Sequence, residues 1–235
     1  MKVGISENIL QVRARLAAAC AAAQRPVNDV ALLAVSKFQP VSAVLEAHQA
    51  GQREFGENYV QEALDKIAAT SELRAELVWH LIGPLQSNKT RVVAENFDWV
   101  HSVDRLKIAQ RLSEQRPGHL PPLNICLQVN VSGEASKSGI SPDELPALAK
   151  AVSALPGLRL RGLMSIPEPL EGLDAQRAPH AWLRRWMTEL QAQGLALDTL
   201  SMGMSADLEA AVLEGATLVR VGTALFGARP APQAD

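Results

Sequence analysis

Asn124-Ile-Cys-Leu-Gln-Val129 carries no charge and is apolar over most of its length. A strand with one wet face would alternate polar and apolar residues. A near-continuous apolar strand instead suits a parallel sheet whose outer face is covered. Working outward, the chain repeats the pattern. Short apolar, β-branched runs fall at 31–37, 53–56, 78–83, 98–103, 123–130, 158–164, 198–203 and 217–222. Longer amphipathic stretches lie between them and carry helix punctuation. Ser42 precedes one and Gly51 follows it; Ser141-Pro-Asp-Glu144 is a capping box; Ser205 opens another that Gly215 closes. Pro117-Gly118 stops a helix that starts near Asp104, with Asp104 as a candidate cap. Eight strands separated by helices predict an α/β fold of a single domain over residues 1–235, a (β/α)8 TIM barrel. The first amphipathic run, 7–24, precedes strand one and is an extra N-terminal helix. An open doubly wound sheet is the alternative, but no Gly-x-Gly-x-x-Gly follows an early strand.

Bulk properties narrow the function. The 235 residues are 47% hydrophobic, enough for a full core, and the net charge is −2. That balance argues against nucleic acid as a partner. No apolar run approaches the roughly 18 residues of a membrane span, and the N-terminus has no signal-peptide core. Cys20 and Cys126 lack metal-ligand spacing and read as buried free thiols. The expectation is a cytoplasmic protein.

Lys37 ends the run Ala31-Leu-Leu-Ala-Val-Ser-Lys37. An ammonium buried at a strand end loses hydration, which pushes it toward the neutral amine that adds to aldehydes as a Schiff base. The alternative is a lysine that snorkels into water. The other end of the chain bears on the choice. Barrel chemistry sits where strands end, and phosphate sites commonly form after strands seven and eight. Strand seven ends Leu200-Ser-Met-Gly-Met-Ser205, which brings Ser201, Met204 and Ser205 into the candidate set. Strand eight ends Val219-Arg-Val-Gly-Thr223 and adds Arg220, Gly222 and Thr223. Gly203 and Gly222 would let backbone approach a ligand, and Ser205 would open a helix that favours an anion. Caps and turn glycines without a ligand are the alternative. After strand two, Asn58 could hydrogen-bond a flat ligand, while Glu57 could be only a loop charge. His80 lies within strand three as a hydrogen-bonded core histidine or a secondary site residue, and His101 ends strand four.

A lysine facing a phosphate site suggests a phosphorylated aldehyde. Pyridoxal 5′-phosphate fits: Lys37 would hold C4′ as an aldimine and the loops would hold the phosphate. Arg220 is the candidate for the pyridine nitrogen. A guanidinium there disfavours ring protonation, whereas a carboxylate would favour it. A surface ion pair is the alternative for Arg220.

Ala34-Val-Ser-Lys37, Phe55-Gly-Glu-Asn-Tyr-Val-Gln-Glu62, Trp79-His-Leu-Ile-Gly-Pro-Leu-Gln-Ser-Asn-Lys89, Arg161-Gly-Leu-Met164, Gly203-Met-Ser205 and Arg220-Val-Gly-Thr-Ala-Leu-Phe-Gly-Ala-Arg229 together resemble the pyridoxal phosphate homeostasis protein family, over nearly the whole chain. The resemblance implies a barrel like the N-terminal domain of alanine racemase, with the cofactor on Lys37. It implies Ser205, Gly222 and Thr223 on phosphate, Arg220 at the ring nitrogen, and binding and delivery of the cofactor in place of robust catalysis. Other B6 vitamers and the apo forms of cofactor-dependent enzymes are then the expected partners, and the chain is expected to be a monomer.

The main rival is an amino-acid racemase or decarboxylase. Racemisation needs acid or base on both faces of the cofactor, and Tyr59 is the only tyrosine; the chain also ends soon after strand eight, leaving no second domain. A Schiff-base aldolase for a sugar phosphate is a third possibility. In the Gly- and Ser-rich segment after strand five, Lys137 is a candidate second amine during cofactor release, or a solvated loop lysine.

Overall fold

The computed structural model describes residues 4–131 and 138–227. Eight parallel strands close a barrel in chain order: β1 (Ala31–Val35), β2 (Glu54–Glu57), β3 (Val78–Leu81), β4 (Trp99–Val103), β5 (Leu123–Gln128), β6 (Leu158–Met164), β7 (Thr199–Ser201) and β8 (Leu218–Val221). β8 returns to β1 with Leu33 opposite Arg220 and Ala34 opposite Val221. Outside lie α1 (Ile5–Ala22), α2 (Val41–Gln49), α3 (Val60–Ala69), α4 (Thr90–Asn96), α5 (Leu106–Gln115), α6 (Leu145–Ser153), α7 (Leu173–Ala192), α8 (Leu208–Leu213) and α9 (Thr223–Phe226). α1 precedes β1, as the first amphipathic run predicts.

The apolar strands bury one face against these helices, where Phe55, Trp79, Ile125 and Leu163 are fully covered. A smaller cluster, Leu33, Ile82 and Leu218 with Ala31 and Val35 against it, lies apart from that core. Alternation along the strand puts these residues on the opposite face, inside the barrel. β6 approaches β7 so closely that a Cβ on Gly162 would stand 1.8 Å from the Thr199 carbonyl oxygen.

Several expected boundaries move. β1 stops at Val35, so Lys37 sits in the turn beyond the strand and is half-buried. α2 starts at Val41 behind Pro40, whose carbonyl accepts the Ala43 N–H at 3.0 Å; Ser42 falls inside the first turn. α8 starts at Leu208, so Ser205 belongs to the turn before it. Asp207 holds the N-cap position in its place, without a side-chain bond to the helix; its Oδ1 instead accepts the Met204 N–H at 2.7 Å and closes the turn before α8. Asp104 does not cap α5; it pairs with Arg105 at 2.7 Å. Ser141 does stand before a short 3-10 turn, with its hydroxyl on Glu144 Oε2 at 2.7 Å, and α6 begins one residue later.

Candidate functional site

The C-terminal ends of the strands surround a cavity of about 300 Å³. Its walls include Lys37 after β1, Asn58 after β2, Met204 and Ser205 after β7, and Arg220, Gly222 and Thr223 at the end of β8. Residues separated by most of the chain therefore meet because the barrel closes β8 onto β1. The volume is at the lower end of the range for small-molecule sites.

Each wall is built differently. Lys37 is carried on a tight turn whose next residue, Phe38, has φ of 64°. A non-glycine residue there costs about 1 kcal/mol, so something must hold it. Asn58 presents Oδ1, which is buried and has no hydrogen-bond partner among the described residues. Thr223 opens α9, whose first amides have no carbonyl one turn earlier to bond. Gly222 packs tightly, since a Cβ there would lie 3.2 Å from the Val35 carbonyl oxygen. Gly203 is needed for another reason than ligand approach. Its φ is 91°, and a Cβ would meet Ala211 Cβ at 2.5 Å.

Arg220 is 4% exposed and faces the cavity from below. Nη1 donates to Ser201 O at 2.6 Å and Ser201 Oγ at 2.8 Å, and Nη2 donates to Ser165 O at 2.7 Å. Burial pushes its pKa down to about 10, which leaves it cationic at neutral pH. Ser201, an expected ligand contact, is instead fully buried behind this guanidinium. His80 is also away from the cavity. It joins a polar file inside the barrel: Ser201 Oγ lies 2.8 Å from His101 Nδ1, and His101 Nε2 lies 2.9 Å from His80 Nδ1. Arginine only donates, so Ser201 Oγ accepts from it and has its own hydrogen for His101 Nδ1. That makes His101 Nε2 the donor to His80 Nδ1. His80 Nε2–H is left facing Glu54 Oε2 at 3.6 Å.

Desolvation keeps both imidazoles neutral, pushing His80 to about 3 and His101 well below its ordinary value. The unfolded chain protonates histidine near 6.5, so it binds more protons than the native state as pH falls from about 6.5 to about 3. His80 should then cost about 1.4 kcal/mol of stability per pH unit in that window, and His101 acts in the same direction. Glu54 opposes this, because burial raises its carboxyl and the folded state takes up that proton first. The slope of urea midpoint against pH should therefore be shallower in His80→Gln than in the wild type. Equal slopes would show that His80 is not held neutral.

Beneath the Lys37 turn lies an ionic cluster. Glu57 is fully buried, with Oε1 accepting from Ser36 Oγ at 2.6 Å and from Lys66 Nζ at 2.7 Å. Burial pushes the Glu57 carboxyl up, and Lys66 opposes that shift.

Residues 9–230 match the alanine racemase N-terminal domain family. The pyridoxal phosphate homeostasis protein of Pseudomonas aeruginosa is 66% identical over 225 residues, covering 96% of each chain. The Escherichia coli K12 protein of the same name is 54% identical over 226 residues, covering 96% of this chain and 97% of its own. The chain belongs to the pyridoxal phosphate homeostasis protein family. Among solved structures, PipY of Synechococcus elongatus with pyridoxal phosphate bound superposes with a TM-score of 0.83 at 43% identity, over 95% of this chain and all of that one.

For this member of the family, the structure gathers Lys37, Asn58, Met204, Ser205, Arg220, Gly222 and Thr223 around the cavity. It sets Ser201 and His80 behind Arg220, and Lys137 lies outside the described residues. Sequence analysis missed Glu62 and Lys66, which hold the Lys37 turn. Their i, i+4 spacing on α3 looks like an ordinary surface pair; the signal against that is Lys66 falling on the buried side of the helix.

Proposed function

We propose that this chain binds pyridoxal 5′-phosphate with Lys37 as its covalent anchor, and that it buffers or delivers the cofactor inside the cell without turning over a substrate. The observation that carries this is the single cavity in which a lysine, a buried guanidinium and a helix-opening threonine converge. A relative named for pyridoxal phosphate homeostasis at 66% identity supports it.

The residues fit the group. Asn58 Oδ1 is a buried acceptor with no partner among the described residues, suited to the ring hydroxyl. Thr223 Oγ1, Ser205 and the first amides of α9 would hold the phosphate, with Gly222 keeping the floor of that end low. Met204 would pack beside the ring. When bound, the cofactor supplies an aldehyde that condenses with an amine, releasing one water, and a ring that withdraws electrons most strongly when its nitrogen is protonated. Lys37 is the amine. Arg220 offers the ring nitrogen donors only and stays charged, so it keeps a proton off that nitrogen. That arrangement weakens the electron sink and favours holding over turnover. Tyr59, the only tyrosine of the chain, is half-exposed and packs 5.2 Å from the Phe38 ring, outside the cavity lining.

The holder acts as a monomeric cytoplasmic protein, with other B6 vitamers as competing ligands and apo-enzymes as recipients. The cofactor-loaded protein should yield its visible band to an added apo-enzyme and leave single-enantiomer amino acids optically active. Sustained loss of optical rotation would establish a racemase instead.

A further inference from the structure

Both neighbours of Lys37 are tied to one ionic cluster. On one side, the Ser36 carbonyl accepts from Lys66 Nζ at 2.7 Å, and the Ser36 hydroxyl donates to Glu57 Oε1 at 2.6 Å. On the other, the Phe38 N–H donates to Glu62 Oε1 at 2.5 Å. Lys66 Nζ closes the cluster, reaching Glu57 Oε1 and Glu62 Oε1, each at 2.7 Å. Glu57 ends β2, while Glu62 and Lys66 stand one turn apart on α3. One helix and one strand end thus grip residues 36 and 38 and leave the side chain of residue 37 on the cavity wall.

Phe38 adopts its left-handed backbone with φ of 64°, a conformation that a bulky residue does not take unaided. Phe38 is 43% exposed, so core burial of its ring does not impose the shape. The turn is closed by the Gln39 N–H on Ser36 O at 3.0 Å, and the Phe38 N–H is anchored on Glu62, where a carboxylate accepting a backbone N–H is a strong, directional restraint. If the bond to Glu62 were lost, the turn could relax toward ordinary φ, and the Lys37 Cα would swing with it.

We propose that Glu62 and Lys66 are positioning residues for Lys37: they lock the 36–38 turn in the conformation that points the lysine amine into the cavity. The proposal rests on Lys37 being the covalent anchor. A brace that merely joined α3 to β2 would affect stability without affecting cofactor capture. Glu62 separates the two cases, since its side chain is 26% exposed and its removal leaves the buried Lys66–Glu57 pair in place.

The test uses the full chain titrated with pyridoxal 5′-phosphate, read by absorbance and by the borohydride-trapped fraction on the Lys37 peptide. Urea unfolding of the cofactor-free protein runs alongside. Glu62→Ala should raise half-saturation about tenfold, the worth of one charge-assisted hydrogen bond. Glu62→Gln keeps an oxygen for the Phe38 N–H and should stay within about twofold of wild type. Ile67→Val, a core truncation on the same helix, should lose stability with half-saturation unchanged. Wild-type capture by Glu62→Ala would overturn the proposal. So would a loss in Glu62→Gln as large as in Glu62→Ala, or a loss of capture in Ile67→Val matching it. If the wild type itself does not trap on Lys37, the cofactor assignment fails before the variants are compared.

Discussion

Lys37→Ala is expected to abolish the visible absorbance band of the cofactor-saturated protein and to raise half-saturation by at least about a hundredfold, or ~2.7 kcal/mol. The contacts proposed for Thr223, Ser205 and Arg220 remain in the variant, so weak non-covalent binding should persist. The fold should also persist. Lys37 lies beyond the last residue of β1, outside the barrel's hydrogen-bonded ladder, and is half-buried. Its loss should change the urea midpoint by the equivalent of less than about 1 kcal/mol. Absorbance titration with denaturation on the same preparation separates the two effects. An intact band in Lys37→Ala would mean that another amine captures the aldehyde.

The largest effect on stability is expected from Lys66→Met. Glu57 is fully buried, its Oε1 is bonded to Lys66 and Ser36, and its Oε2 has no partner among the described residues. Removing the ammonium strands a buried carboxylate and should cost about 3–5 kcal/mol near pH 8. The sign of the pH dependence follows from the carboxyl. Burial already raises it in the folded state, and losing Lys66 raises it further. As pH falls through that raised value, the folded state takes up a proton before the unfolded state does, so the deficit shrinks. Urea midpoints of wild type and variant should therefore converge between pH 8 and pH 5.5, provided the variant is folded at the higher pH. A variant too unstable to fold at pH 8 but folded at pH 5.5 would show the same sign. A deficit that does not change with pH would place the damage in lost packing instead.

The barrel was legible because a strand covered on its outer face must be apolar along most of its length, and residues 123–128 show this without tertiary information. Lys37 stood out for the converse reason, as a charge at the end of such a run. Its true position in a turn was hidden, because the left-handed backbone of Phe38 has no glycine or asparagine to announce it. Ser205 misled as the start of α8 because residues 204–207 form a turn, closed by Asp207 Oδ1 on the Met204 N–H, which delays the helix to Leu208. The file from Arg220 through Ser201 and His101 to His80 joins four strands, and no spacing along the chain encodes it. His80 was legible as a core histidine, but its partner His101 on the neighbouring strand was not. Glu62 and Lys66 were invisible for a related reason: helical spacing gives their mutual contact, while only the docking of α3 against the end of β1 brings Ser36 and Phe38 to them.

The central claim is that Lys37 is the residue that captures the aldehyde of pyridoxal 5′-phosphate. Borohydride reduction of the cofactor-saturated full-length protein, followed by peptide mass analysis, tests it directly. The account predicts one reduced pyridoxyl adduct, on the peptide containing Lys37. An adduct on a different lysine, or none from saturated protein, would contradict it.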